Sequence, residues 1–230
     1  MNTVHLRSLS RSYGRLFALH RVTTSLHAGS ITAILGGNGA GKTTLINILA
    51  TLDSPTAGEV LYDACSWSHF ARRHRARIGW VSHDSLLYDE LSGRENLQFY
   101  ARMYGLKHPE EIAQRWLERV GMNEAADRRV ATYSRGMRQR LTVARALIHE
   151  PSLVLFDEPT SGLDQQGINE VGALLAELRE AGRIVVLITH DFHVLDANID
   201  RLLILKRGKL TFDEDAHSSA EILDAYAKFA

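Results

Sequence analysis

Residues 36–44 read Gly36-Gly37-Asn38-Gly39-Ala40-Gly41-Lys42-Thr43-Thr44. The run fits G-x-x-x-x-G-K-[ST], a phosphate-binding loop. Its glycines let the backbone curl until several N–H groups face one anion. The helix expected after it adds a positive N-terminal end. Lys42 suits the β- and γ-phosphates of a nucleotide, and the Thr43 hydroxyl suits Mg²⁺. A second pair, Asp157-Glu158, closes the apolar run "LVLFDEP". There Asp157 can hold Mg²⁺ through water and Glu158 can act as general base on an attacking water. Adjacent acids are common on surfaces, but at the mouth of a buried strand downstream of a phosphate loop they form a site. A third stretch, "TYSRGMRQRL" at 132–141, puts Ser134 and Gly136 at a helix start, which makes a second anion site. One chain thus has two phosphate-seeking helix starts and one P-loop. His83, after "IGWVS", can be read as a metal ligand, a base, a pH sensor or a stand-in for another residue.

The elements that must carry these residues alternate between two periods. Val4, Leu6 and Leu9 open a strand-like segment, and "SITAILG" at 30–36 reads as a buried strand. Leu45, Ile48, Leu49 and Leu52 follow at helical spacing. "IGWV" at 78–81 is another short strand. Helical patterns then run over 92–104, with Leu97, Tyr100 and Tyr104 on one face, and from Pro109 to a stop at Gly121. Residues 84–133 therefore read as a mostly helical insertion. A helix over 135–149 carries Leu141, Ala144 and Ile148 on one stripe and ends before Pro151. The strand "SLVLFDEP", an amphipathic helix with Ile168, Val171, Leu174, Leu175 and Leu178, and the strand "RIVVLITH" follow. "LLILKRGKLTF" reads as a hairpin about Arg207-Gly208, and Ser218 with Glu221 as a capping box for a last helix. Strands alternating with helices, several of them wholly apolar, predict an α/β fold with a covered parallel sheet.

Composition narrows the function. Lys+Arg and Asp+Glu are 27 each, so the net charge is zero and neither a nucleic-acid surface nor a polybasic membrane binder is favoured. The basic run "ARRHRAR" at 71–77 reads as a solvated face. Cys65 is the single cysteine, so no intramolecular disulfide forms, and a reducing compartment is expected. "MNTVHLRSLSRSYG" has no apolar h-region, and runs such as "IVVLIT" fall far short of the roughly 20 residues that span a bilayer. The chain is expected to be soluble, reaching a membrane only through a partner.

In motif order the chain resembles the ATP-binding subunits of ABC transporters over nearly its full length. The P-loop at 36–44, a signature at 133–137, Asp157-Glu158, "SGLD" at 161–164 and "ITHD" with His190 stand in that family's sequence. The resemblance implies a P-loop NTPase core at about 1–83 and 134–215, a helical subdomain at about 84–133, a C-terminal helix at about 218–229 and an N-terminal antiparallel β region. It implies ATP and Mg²⁺ as cofactors and an ATPase activity. It also implies head-to-tail pairing, as a homodimer formed on ATP binding, in which Lys42 of one chain and Ser134 of the other meet the same nucleotide. Tyr13 would stack on adenine, His190 would touch the γ-phosphate, and Asp164 would link the two sites. His83 occupies the place of a family glutamine, where it would act through a metal-bound water and make turnover pH-sensitive. Leu86-Leu87-Tyr88 would receive a helix of integral membrane subunits, placing the protein at the cytoplasmic face of the cell membrane. The signature departs from the usual Leu-Ser-Gly-Gly-Gln: it reads Tyr133-Ser134-Arg135-Gly136-Met137, with Arg135 a positive charge near the nucleotide, and Gly37 replaces a proline. The stretches 82–105 and 133–141 are most similar to the ATP-binding subunit of the haem exporter of cytochrome c maturation (the CcmA type). An ABC-2-type exporter of a drug, lipid or polysaccharide is the alternative.

Overall fold

The computed structural model describes residues 1–82, 84–161, 163–189, 195, 199–216 and 219–230. A four-stranded antiparallel sheet, in the order β2-β1-β4-β5, is built from β1 (Thr3–Tyr13), β2 (Leu16–His27), β4 (Ala57–Tyr62) and β5 (Cys65–Ser66). A six-stranded sheet holds β3 (Ser30–Leu35), β6 (Ile78–Val81), β7 (Leu153–Asp157), β8 (Ile184–Ile188), β9 (Arg201–Lys206) and β10 (Lys209–Asp215), in the order β10-β9-β3-β8-β7-β6. Its inner pairs are parallel, and β10 closes one edge antiparallel.

The wholly apolar runs are covered on both faces, as parallel strands require. In β7 and β8 every residue is buried. Period-2 alternation divides each strand between two cores. Leu153, Leu155, Ile184, Val186 and Ile188 face the antiparallel sheet and α1 (Lys42–Leu49). Val154, Phe156, Val185 and Leu187 face α6 (Gln165–Glu180) and α7 (Ser219–Phe229). The P-loop helix is shorter than its apolar spacing suggests. It stops at Leu49, and Leu52 lies outside it, half exposed. On the last helix Ile222 is buried and Leu223 is half exposed; Ser218 of the expected capping box lies outside the described residues.

Between β6 and β7 lie α2's successors in the chain, α3 (Gly93–Met103), α4 (Pro109–Arg119) and α5 (Arg135–Leu147); α2 itself (Trp67–Arg73) precedes β6. α3 begins with a capping box: the Ser92 side chain accepts from the Glu95 N–H, and Glu95 accepts from the Ser92 N–H at 2.7 Å. Leu97, Ala101, Ala113, Leu117 and Val130 form a separate small core. α5 serves both bodies. Leu141, Ala144 and Ile148 pack into the small core, while Val143, Ala146 and Leu147 pack into the core of the large sheet. Its Arg145, and His149 just beyond its end, donate to the carbonyls of Trp80 and Ile78 on the edge strand β6 at 2.7 and 3.0 Å, so the open edge is covered.

Candidate nucleotide site

β3 ends at Leu35, and the chain turns through the P-loop into α1. Two glycines are required by geometry. Gly36 has φ +151°, and a side chain there would run into the Leu205 carbonyl of β9. Gly41 has φ +108°, and a Cβ would sit 2.5 Å from the Ala18 carbonyl and 2.9 Å from Leu19 Cδ2 of β2. The loop is further tied by the Gly208 N–H donating to the Ala40 carbonyl at 2.9 Å. Gly37, Asn38 and Gly39 are exposed, as is Thr43 at the start of α1, with Thr44 partly so. Lys42 curls back over the loop, and its Nζ donates to the carbonyls of Gly36 at 2.6 Å and Gly37 at 3.3 Å. Burial holds its pKa below the usual lysine range, opposed by attraction to Glu158 and then Asp157.

That attraction places the acid pair at the P-loop. β7 lies two strands from β3, separated by β8, and delivers Asp157, buried, to the C-terminal end of the sheet. Glu158 follows with φ +53° and its N–H bonded to the Ile188 carbonyl at 2.8 Å. A left-handed glutamate is an uncommon conformation that persists where surrounding contacts fix it. So Lys42, Thr43, Asp157 and Glu158, far apart in sequence, share one end of the parallel sheet, where open α/β sheets bind ligands.

Ser134, Gly136 and Asp164 are brought together elsewhere. They line a cavity of about 720 Å³ between α4, α5 and α6 that no residue of the P-loop lines. Ser134 caps α5, accepting from the Met137 N–H at 3.3 Å, and is exposed. Asp164 caps α6, accepting from the Gly167 N–H at 2.9 Å. Arg135 donates to Ser161 Oγ at 3.0 Å, and Gln139 to the Pro159 carbonyl at 2.8 Å, so the signature start is lashed to the segment after the acid pair. Tyr13, expected on a base, closes β1 with its ring half exposed. His83 and His190 lie outside the described residues. Three residues hold the site together in ways the sequence did not show. Tyr133 donates to the Ala125 carbonyl at 2.6 Å beneath Gly93 and so seats the signature; Arg11 and Asp53 hold Tyr13.

Residues 19–161 match the family model described as ABC transporter. The chain belongs to that family. It is 34% identical to the ABC transporter ATP-binding protein NatA of Bacillus subtilis (strain 168), over 85% of this chain and 80% of that protein. It is 33% identical to the Nod factor export ATP-binding protein I of Rhizobium johnstonii, over 95% of this chain and 71% of that one. Its fold matches that of the ATP-binding cassette MJ0796, solved as a dimer in a post-hydrolysis state with ADP and Pi, at a TM-score of 0.84 and 28% identity, covering 92% of this chain and 98% of that one. It is an ATP-binding, ATP-hydrolysing cassette with the ABC-type P-loop fold, the motor subunit of a transporter. Among the described residues no helix is long and apolar enough to cross a membrane.

Proposed function

We propose that this cassette works as one of a pair, closing on two ATP molecules and opening on hydrolysis to drive an exporter in the cell membrane from its cytoplasmic side. The observation that carries the reading is the division of the site. Lys42, Thr43, Asp157 and Glu158 gather at one end of the sheet, while Ser134, Gly136 and Asp164 line a different cavity. A second copy, head to tail, supplies the missing half to each nucleotide, and the dimer reported for MJ0796 supports that pairing.

Within one half-site the P-loop N–H groups and Lys42 take the β- and γ-phosphates. Glu158 takes the proton of the attacking water as its oxygen bonds to the γ-phosphorus and the bond from that phosphorus to the bridging oxygen breaks, ADP carrying that oxygen away, and the partner's signature start helps hold the phosphate as charge spreads over its oxygens. His190 and His83 stand as the residues that touch the γ-phosphate and its water. Thr43 and Asp157 offer hard oxygen donors that fit Mg²⁺, which when bound neutralises charge on the β- and γ-oxygens. Among the described residues no three His, Cys, Asp or Glu side chains gather to hold a metal. Tyr13 is the base platform. Leu86 and Tyr88, 48% and 49% exposed, extend with Phe99 and Met103 into an apolar patch for a helix of the membrane subunit.

The cargo we infer is that of an ABC-2-type exporter of a drug, lipid or polysaccharide; the relative named for Nod factor export supports it. Haem export of the CcmA type is the second reading, favoured by Ser134-Arg135-Gly136-Met137 and by His83. A mild-detergent pull-down of the tagged protein from native membranes, read by mass spectrometry and Soret absorbance, decides. A permease without haem supports the first reading, and cytochrome c maturation subunits with haem support the second. Absence of any integral membrane partner would refute both.

A further inference from the structure

Tyr13 is gripped by two residues from different parts of the fold. Its hydroxyl donates to Asp53 Oδ2 at 2.5 Å. The Arg11 guanidinium lies over one face of the ring, 4.7 Å from its centroid, and is 2.7 Å from Asp53 Oδ1. The side chains of Arg11 and Asp53 are only 22% and 19% exposed, while Tyr13 is 51% exposed. The knot therefore sits inside and presents the ring outward, with one face occupied by Arg11 and the other open to a flat ligand.

Arg11 and Tyr13 belong to β1, in the antiparallel sheet. Asp53 belongs to the exit of α1, where its N–H donates to the Asn47 carbonyl of that helix at 3.2 Å. α1 is the helix whose first residues are Lys42 and Thr43. One carboxylate thus ties the aromatic ring to the helix that carries the phosphate ligands. A ring locked in this way loses no rotamer freedom when a base stacks on it, which is how preorganisation raises affinity. We propose that Arg11 and Asp53 are positioning residues, which hold Tyr13 as a one-sided nucleobase platform at a fixed reach from the P-loop. The proposal rests on Tyr13 meeting the base, as put forward above.

The test is calorimetric binding of ATP, and of inorganic tripolyphosphate, without divalent metal so that no turnover occurs. Variants are Tyr13→Ala, Tyr13→Phe, Arg11→Ala and Asp53→Ala, with Asp53→Asn as the near-isosteric form should Asp53→Ala not fold. Tyr13→Ala is expected to weaken ATP about tenfold, within the roughly five- to 150-fold that stacking on an aromatic side chain contributes. Arg11→Ala, Asp53→Ala and Asp53→Asn are expected to weaken ATP about three- to tenfold with tripolyphosphate unchanged. Tyr13→Phe combined with an Asp53 variant should be no weaker than that variant alone, because both remove one contact. If the Tyr13→Ala variant binds ATP poorly while Arg11 and Asp53 variants bind it as the wild type does, the positioning proposal fails and the platform stands. If Tyr13→Ala itself binds ATP normally, the platform fails. If Asp53 variants lose tripolyphosphate equally, Asp53 acts through the P-loop helix and the proposal is overturned.

Discussion

Replacing Gly41 by alanine isolates what the P-loop backbone does. The residue has φ +108°, where a Cβ costs roughly 1–2 kcal/mol. The added methyl would also stand 2.5 Å from the backbone oxygen of Ala18 and 2.9 Å from Leu19 Cδ2. Leu19 can turn aside, but the Ala18 carbonyl is part of β2 and cannot move without disturbing a strand, and overpacking of this kind costs about 1–3 kcal/mol. The native loop is thus disfavoured by about 2–5 kcal/mol. The chain avoids that cost by leaving the conformation that aims its N–H groups at the phosphate. At about 1.4 kcal/mol per factor of ten, ATP affinity should fall by roughly thirtyfold to several thousandfold. The melting temperature should move only a few degrees, because the loop opens rather than the sheet. Gly37 is the internal control: nothing lies within 4 Å of its Cβ position and it has no positive φ, so Gly37→Ala should bind ATP within about twofold of wild type. Isothermal calorimetry with ATP and a thermal melt on all three proteins measure both quantities. Gly41→Ala binding ATP as tightly as Gly37→Ala would refute the claim that the approach to β2 shapes the loop.

Glu158→Gln should keep ATP binding and lose turnover by about 10²- to 10⁴-fold, as for a missing general base; phosphate release in a steady-state assay checks it, and near-normal turnover would move the base elsewhere. Burial, only partly opposed by the bond to the Ile78 carbonyl, lowers the His149 pKa to about 4, below the unfolded value of about 6.5. The folded state then binds fewer protons between those values, so stability is full above about pH 6.5 and is lost as pH falls towards 4, by up to about 3 kcal/mol. His149→Gln should flatten that slope in urea titrations across pH 4–7; parallel slopes for the two proteins would rule His149 out. Leu86→Glu with Tyr88→Glu should leave ATP hydrolysis by the purified cassette intact and abolish its recovery with membranes; undiminished membrane recovery would dismiss the patch as the docking surface.

The placement of the motifs was readable because it depends on residue types at fixed spacing: a Gly-rich run before a helix, two acids after a buried strand, a Ser and a Gly at a helix start. The central strands were readable because burial on both faces leaves β7 and β8 with no polar choice. The antiparallel sheet showed in the residues only at its first strand, and otherwise through the family resemblance. In β1, Leu6 and Leu9 are both buried three residues apart, since register shifts between them break the period of two, with Ser8 between them at φ 48°. In β2 the buried positions are interleaved with His, Arg and Thr that face solvent, so its apolar signal is faint. Arg11 and Asp53 were invisible for another reason. Single charges in sequence carry no sign of their partners, and their meeting depends on how β1 folds over the exit of α1.

The same local ties fit the pairing proposed above. Any large displacement of Ser134 would draw α5 out of the two cores it joins. Leu141 and Ile148 would leave the small core, and Val143 and Leu147 the large one. At about 1.5–3 kcal/mol per buried side chain of this size, those four alone set a cost of about 6–12 kcal/mol. That equals the whole stability of an ordinary domain, about 5–15 kcal/mol. The bonds from Arg135 to Ser161 and from Gln139 to Pro159 would be lost as well. Borrowing the signature of a second copy requires none of this. Each chain keeps α5 in place, and the only ordering required is that of two rigid surfaces around a nucleotide that both bind. On the pairing proposed above, each chain keeps α5 in place, and ATP between two copies completes each half-site.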